Sequence, residues 1–509
     1  MRITNYMMQR NSLNNIAINK KQMSTLDTQL SSQKKISRPS EDPIIAIRAL
    51  RLRTSLSEVT QYLDKNIPDA NSWLDVSEGA LTEVDSILSD VYKYCVQGST
   101  DTLSLSEREI ISDSLKQLRE ALYAQGDVDY AGRYVFTGFR TDSSLTYKTD
   151  EQLADANYSI TQKFKAEDFD YKNIVTSSVD LKAVQNLTGD QLGALTDAEL
   201  EAIADYNAIN SQDVHRIQLA YTDIKQASEM TSASGVSITY TDASGAQQDF
   251  GQPITETTDP NVVPGDDEIL LNTETGELLF GDNVYTQLFN KGEFSITYEK
   301  DSFVKGDCKP EHYFTCTNLD TNLTYEKAEE GQDIEYIVNF NQKLKVNSEA
   351  SDCLSLDMGR DIDEIINAVD NAIVAEEKVK ALTELKGNPN YSGDEAQEKL
   401  DKLIEAAQKE LDYYNDALQK TFESGITWMQ NHQENVDIAI ADIGNRMTRL
   451  SLTKTRLESQ KTNFTDLKSS NEDIELEEVV VNYSSAELVY NASLTAASKV
   501  VRQSLLDFI

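Results

Sequence analysis

The chain has 509 residues, 39% of them apolar and 26% charged, with a formal net charge of −39. That length permits roughly two to four domains, and the composition is that of a chain able to bury a core. The acidity argues against nucleic acid, which needs a dense field of Lys and Arg. No stretch approaches the apolar run of a membrane span, and four cysteines are too few for a disulfide scaffold.

Residues 1–35 contain neither Gly nor Pro. Within them Ile3, Tyr6, Leu13, Ile16, Met23 and Leu30 fall on one helical stripe, interrupted by Arg10, Lys20 and Asp27. The opening MRITNYMMQRNSLNN is polar and lacks the apolar segment of a secretory signal. A second stripe runs Leu52, Leu56, Val59, Leu63. It continues through Ala70, Leu74, Leu81, Val84, Leu88, Val91 and Cys95 beyond Pro68, which is expected to kink or break the helix. Ser106 with Glu109 three residues on predicts a capping box. Ile111, Leu115, Leu118 and Leu122 would be the apolar face behind it.

The character changes from about residue 141 to 355. GVSITYTD, EILLNTETGELLFGD, FSITYEK and IEYIVNF alternate as strands do. Glu274–Glu277 reads as a hairpin turn between apolar runs. Residues 188–230 interrupt this with an expected helical patch. Near Asn388 the segment LKGNPNYSGDE divides the returning helices.

Val436, Ile440, Ile443, Met447, Leu450, Leu457 and Phe464 then keep a coiled-coil step. The series Leu476, Val480, Tyr483, Glu487, Tyr490, Leu494, Ala497, Val501, Ser504, Phe508 closes the chain, on a helix about 50 Å long at 1.5 Å per residue. A single stripe cannot bury itself. Its partner is the helix at the other end, a helix of another subunit, or both. The expected fold is mainly α with a β-rich insert, a hairpin-shaped molecule whose two ends meet.

Charge is placed unevenly. Residues 1–53 hold ten Lys and Arg against three carboxylates, a net of +7, which leaves about −46 for the rest. Either the helix is simply solvated with basic caps, or a basic end meets acidic neighbours. The size of the contrast favours the second.

Chemistry is sparse. There is no P-loop, dinucleotide fingerprint or HExxH motif, and three histidines leave little acid–base chemistry near neutral pH. Cys308, His312 and Cys316, with Cys353 further on, are the tightest constellation. They could be a metal site, although their spacing fits no standard zinc module. A Cys308–Cys316 disulfide or unpaired thiols are the other readings, and unpaired thiols are favoured. No enzyme activity, catalytic residue or cofactor is expected.

Several motifs are familiar. Arg38-Pro39-Ser40-Glu41-Asp42-Pro43 resembles the S-D-D-P turn between the first two helices of bacterial flagellins and their relatives. Ser77-Glu78-Gly79-Ala80-Leu81 resembles their second helix. Gly132-Arg133-Tyr134-Val135-Phe136-Thr137-Gly138 is similar to the G-x-Y-x-F-x-G motif of the hook–filament junction branch of this flagellin-like family, the third class of hook-associated proteins. Ile443-Gly444-Asn445-Arg446-Met447 and the ending Ser504-Leu505-Leu506-Asp507-Phe508-Ile509 resemble that branch too. Asn471-Glu472-Asp473-Ile474 resembles its turn before the last helix, with Leu476 in place of an Asp.

The resemblance covers roughly residues 1–141 and 430–509. It implies terminal coiled-coil helices (1–37 and 470–509), a helical rod (38–141 and 356–469) and a variable β-rich outer domain (142–355). It also implies an extracellular adaptor layer between hook and filament, exported without a cleaved signal through the flagellar type III apparatus with an export chaperone. Its partners would be a ring of its own copies, the first hook-associated protein and flagellin, with no nucleic acid and no membrane insertion. The bulk filament subunit, flagellin, is the alternative within the family. A secreted adhesin or an enzyme on a helical stalk is the alternative outside it. Shared helical phase makes Ile3, Leu13 and Ile16 with Leu494, Val501, Leu505 and Phe508 the expected inter-subunit core.

Overall fold

The Gly- and Pro-free start of the chain forms α1 (Asn5–Ser32). It ends where Gln33 turns into the left-handed region at φ 57°. The computed structural model describes residues 5–100, 103–231, 235–242, 245–327 and 331–506, with only the backbone for Asn5 and residues 500–506. Helix restarts at α2 (Pro43–Gln61). The Asp42 carboxylate accepts from the N–H groups of Ile44 and Ile45 at 2.9 and 3.1 Å. Pro43 takes the first helical position, where its missing N–H costs nothing.

The break expected at Pro68 does not occur. A five-residue π turn, Tyr62–Asn66, precedes it, and α3 (Ile67–Gly98) follows without a gap. The wider turn, closed by Ile67 N–H on the Tyr62 carbonyl, displaces the carbonyl that the proline ring would otherwise strike. The next helix, α4 (Leu105–Ala124), starts earlier than expected. Ser104 and not Ser106 caps it, with Glu107 Oε2 accepting from the Ser104 N–H at 2.8 Å. The run SLSERE holds the Ser-x-x-Glu pattern twice, so spacing alone does not choose between the two.

The middle of the chain is mostly short strands. β1 (Asp129–Tyr130) and β2 (Arg133–Tyr134) form a tight hairpin, whose central residues Ala131 and Gly132 have φ of 54° and 78°, as a two-residue hairpin turn requires. Then come α5 (Asp150–Ala154), β3 (Tyr158–Lys165), β4 (Asp170–Val175), α6 (Leu181–Gln185), α7 (Gly189–Gly193), α8 (Asp197–Ile203), β5 (Ser211–Gln218), β6 (Ser237–Thr241), β7 (Gln247–Asp249), β8 (Ile254–Thr257), β9 (Ile269–Asn272) and β10 (Glu277–Phe280). They are followed by α9 (Asp282–Phe289), β11 (Glu293–Lys300), β12 (Thr315–Asn318), β13 (Leu323–Tyr325), β14 (Glu335–Asn339), β15 (Gln342–Lys345) and α10 (Ala350–Cys353). Three long helices close the chain: α11 (Leu356–Lys386), α12 (Asp394–Glu472) and α13 (Leu476–Leu506). Helical ends and a β-rich middle are therefore both present.

The chain divides into two compact units. The first comprises Met1–Asn71, Tyr336–Leu344 and Met447–Ile509. Its interior is built from α2 (Ala46, Ala49, Val59), Leu63 of the π turn, Ile67 just after it, and Leu450 and Leu457 of α12, all buried. The tip of the β14–β15 hairpin meets the π turn: Asn66 Nδ2 donates to the Ile337 carbonyl at 2.7 Å, and Tyr62 packs edge-on to Phe340 with centroids 5.5 Å apart.

The second unit comprises Ser72–Glu335 and Lys345–Arg446. Its helical part buries Leu74, Leu81, Val84, Leu88, Val91 and Cys95 of α3 and Ile111, Leu115 and Leu122 of α4. Polar contacts join α4 to α11: Ser112 Oγ donates to Asp370 at 2.6 Å, and Arg119 meets Asp363 at 3.1 Å. One sheet has the order β4-β5-β10-β9-β8 and the other β13-β12-β3-β11-β6-β7. All neighbours are antiparallel except β8 with β9.

The helical patch expected over 188–230 holds only as far as Ile203. Beyond it lies β5, whose alternation buries Val214 and Arg216 and which pairs on both sides. The short helices α6–α8 cover a satellite core that includes Val184, Leu192 and Leu200 with Leu382, Tyr391, Leu400 and Leu403 of the α11–α12 corner. Arg216, 2% exposed, bonds Asp170 at 3.0 Å, Glu277 at 2.9 Å and Glu364 of α11 at 2.5 Å.

Candidate assembly surface

The terminal helices α1 and α13 pack on each other antiparallel, since Asn19 meets Ser493 while Lys34 meets Asp473. On α1 the half-buried positions are Gln9, Ser12, Ile16, Asn19, Met23, Leu26 and Leu30, with Gln29 beside the last. On α13 the corresponding line is Val479, Tyr483, Ala486, Tyr490, Ser493 and Ala497. Both sets advance in alternating steps of three and four, the spacing of a coiled-coil seam.

A polar clamp closes the lower end of this pair. Arg53 donates from Nε and Nη2 to the two oxygens of Glu472, both at 2.7 Å. Lys34 Nζ pairs with Asp473, and a backbone bridge joins the same two residues. The Lys35 N–H donates to the Glu472 carbonyl at 2.7 Å, and Asn471 Nδ2 to the Ile45 carbonyl at 3.1 Å. The hydrogen bond from Arg53 holds the Glu472 carboxyl below its ordinary range, and Lys34 does the same for Asp473.

One seam does not cover these helices. Tyr6, Met7, Met8, Leu13 and Ile18 of α1 are exposed. So are Leu476, Val480, Val481, Leu488, Val489 and Leu494 of α13, with Leu488 at 74%, and Ile44, Ile47 and Leu50 of α2. On α1 this exposed apolar surface is confined to Tyr6–Ile18, whereas on α13 it extends from Leu476 to Leu494; exposed apolar patches of this kind mark interaction surfaces.

The expected interface residues are distributed accordingly. Leu13 (65% exposed) and Leu494 (42%) lie on the uncovered surface, whereas Ile16 faces the intramolecular seam. Ile3 and Phe508 lie outside the described residues, and the side chains of Val501 and Leu505 are likewise not described. The sequence series from Leu476 mixes two faces of α13: Tyr483, Tyr490 and Ala497 belong to the seam, and Leu476, Val480 and Leu494 point away from it. The Arg53–Glu472 clamp is not legible in any one motif. Its only signal was a basic N-terminal stretch and an Asn-Glu-Asp turn of opposite sign.

The Gly132–Gly138 motif packs in the second unit. Val135 and Phe136 are buried, and Arg133 lies over the ring of buried Trp73 at 5.0 Å. Gly138 has φ 61°, and a Cβ there would stand 2.5 Å from Gln332 Oε1, which accepts the Phe139 N–H at 2.8 Å. The motif is thus a structural corner. In the Pro39–Pro43 turn, Asp42 and Pro43 perform the capping already described, and Glu41 Oε2 accepts the Ser37 N–H at 2.7 Å.

All four cysteines are free and buried. Burial raises the thiol of Cys316 to about 12 and pushes that of Cys308 up as well. Burial, with Lys309 nearby, lowers His312 to about 3. Among the described residues no group of three or more His, Cys, Asp and Glu is placed to hold a metal, and no helix is long and apolar enough to cross a membrane.

Against known proteins, residues 3–141 match the bacterial flagellin N-terminal helical region. The resemblance to the flagellin-like family stands. Over 146 residues, 28% of this chain, the sequence is 27% identical to flagellar hook-associated protein 3 of Salmonella typhimurium. Over 122 residues, 24% of this chain, it is 30% identical to a flagellin of Clostridium tyrobutyricum. These matches take in 45% and 32% of the relatives' own lengths, less than half of either.

The flagellar junction protein FlgL of Legionella pneumophila overlays 84% of this chain and 100% of its own with a TM-score of 0.30 at 10% identity, too low to carry a comparison of arrangement. The flagellin-like stretch contains α1, the Asp42–Pro43 restart and the Gly132–Gly138 corner. It therefore supplies one helix of the terminal pair and the Arg53 side of the clamp.

Proposed function

We propose that this protein is a structural component of the bacterial flagellum, an adaptor layer at the hook–filament junction that assembles through its terminal helices. The observation that carries this reading is the apolar surface left on α1 and α13 after they have paired with each other. Burial of such surface contributes roughly 25 cal/mol per Å² and is the main drive for association.

In this reading Leu13 and Leu494, with Ile3, Val501, Leu505 and Phe508, join the core between copies, while Ile16 stabilises the pair within each copy. Residues 1–37 and 470–509 act as the inner assembly helices, 38–141 and 356–469 as a helical rod, and 142–355 as a variable outer domain. The neighbours are further copies, the first hook-associated protein on one side and flagellin on the other. The protein reaches its place outside the cell through the flagellar export apparatus with a chaperone. It carries out no catalysis and holds no cofactor.

Flagellin is the second reading, supported by the match to the clostridial protein. Sheared flagella separate the two. A minor band, with immunogold label confined to the hook–filament boundary, agrees with the adaptor. A major band with label along the whole filament identifies the bulk subunit and overturns it.

A further inference from the structure

From Ile16 to Leu30 the α1 side of the seam is apolar at every heptad position except Asn19. Asn19 Nδ2 donates to Ser493 Oγ at 2.8 Å. The Ser493 hydroxyl proton is already committed to the Val489 carbonyl at 2.7 Å. The contact therefore has a direction: Ser493 accepts, and Asn19 must donate.

We propose that the Asn19–Ser493 hydrogen bond sets the register in which α13 pairs with α1. An apolar heptad seam looks alike after a slide of seven residues, and a single polar pair removes that degeneracy. A slide one way brings Asn19 opposite Val500 and Ser493 opposite Leu26. A slide the other way brings Asn19 opposite Ala486. Both exchange the Ser493 hydroxyl opposite Asn19 for an apolar side chain and so cost the half-buried carboxamide its hydrogen bond within the seam.

The clamp at Glu472 and Asp473 ties the end of α1 to the start of α13, with the Lys35 N–H on the Glu472 carbonyl and the Ile474 N–H on the Gln33 carbonyl. With the clamp closed, a slide of seven residues requires the first turns of α13 to unwind, where Leu476 and Val480 are exposed and Val479 is buried. Asn19 and Ser493 lie well beyond it along the seam.

The inference concerns pairing within one chain, so its failure leaves the assembly role open. The test uses the full chain with spin labels at Leu13→Cys and Leu488→Cys, both exposed positions, the four native cysteines being buried. With Asn19 present, one label–label distance is expected. Asn19→Leu should add a second population displaced by about 10 Å, seven residues at 1.5 Å each, with an unchanged or higher Tm because the seam becomes more apolar. Asn19→Asp, which cannot donate, should also lose the single distance but with a lower Tm. Ser493→Thr keeps the acceptor and should keep one distance. A single unchanged distance in Asn19→Leu, or a broad distribution with Asn19 and Ser493 intact, overturns the proposal.

Discussion

Glu472 ends α12 almost fully buried, and it survives there because Arg53 grips it with two parallel hydrogen bonds. Arg53→Ala should destabilise the first unit by about 1 kcal/mol, the range of a well-aligned but solvent-facing pair, read as a lower urea midpoint. The clamp also fixes the direction of pH dependence. Glu472 and Asp473 both have carboxyls held below their ordinary values. Their contribution is therefore complete above the ordinary carboxylate range, near pH 4, and is lost as pH falls through the lower folded-state values. Helicity of α1 and α13 should loosen on acidification below about pH 4 in the intact chain, and that extra loss should vanish in Glu472→Gln/Asp473→Asn. An identical acid profile in that variant would contradict the role given to the clamp.

Arg216 makes the same point in the interior. Burial would raise the Glu277 carboxyl, but Lys172 and Arg216 hold it at about 2. Arg216→Ala leaves buried Glu277 with Lys172 alone and half-buried Glu364 without its cation, and should cost about 3–5 kcal/mol of stability, measured by calorimetry. Leu13→Ser and Leu494→Ser should behave oppositely. Exposed in the single chain, they should leave its Tm nearly unchanged while weakening assembly, read by light scattering of concentrated protein.

Among the elements, α12 carries the most regular signal. Phe422, Met429, Val436, Ile443, Leu450 and Leu457 are buried at steps of seven, so Val436 onward was legible from spacing alone. Leu457→Ala, at a fully buried position, should cost about 2–5 kcal/mol in denaturant unfolding. Gly425→Ala on the same helix should also destabilise, by about 1–3 kcal/mol. Its Cβ would stand 2.9 Å from Ile365 Cδ1 and 3.1 Å from the Cys95 sulfur.

The misses have local causes. Pro68 signals a broken helix to any rule based on one residue, and a π turn just upstream removes the clash. The run SLSERE offers two capping serines of equal merit. β5 lies in a helix-compatible stretch, and its pairing with β4 and β10 decides its conformation. Periodicity showed that α13 needs partners, but not that its seam is Val479–Ala497 and its uncovered face Leu476, Val480 and Leu494. The stripe was wide enough to hold both.

For the molecule as a whole, charge and composition narrowed the class, and the paired ends were expected from their stripes. The functional assignment drew on short motifs such as Gly132–Gly138. Gly132–Gly138 forms a corner of the fold, positioned by positive φ at Gly132 and Gly138 and by Gln332. The β-rich middle was readable as strands at Ser237–Thr241, Ile269–Phe280 and Glu293–Lys300, while its sheet order depends on distant pairings that no local pattern encodes. On the proposed reading, the uncovered terminal helices make this protein a required link between hook and filament. Deletion of its gene followed by electron microscopy of the cells should leave bare hooks with flagellin released into the medium, and full-length filaments on the deletion strain would rule that link out.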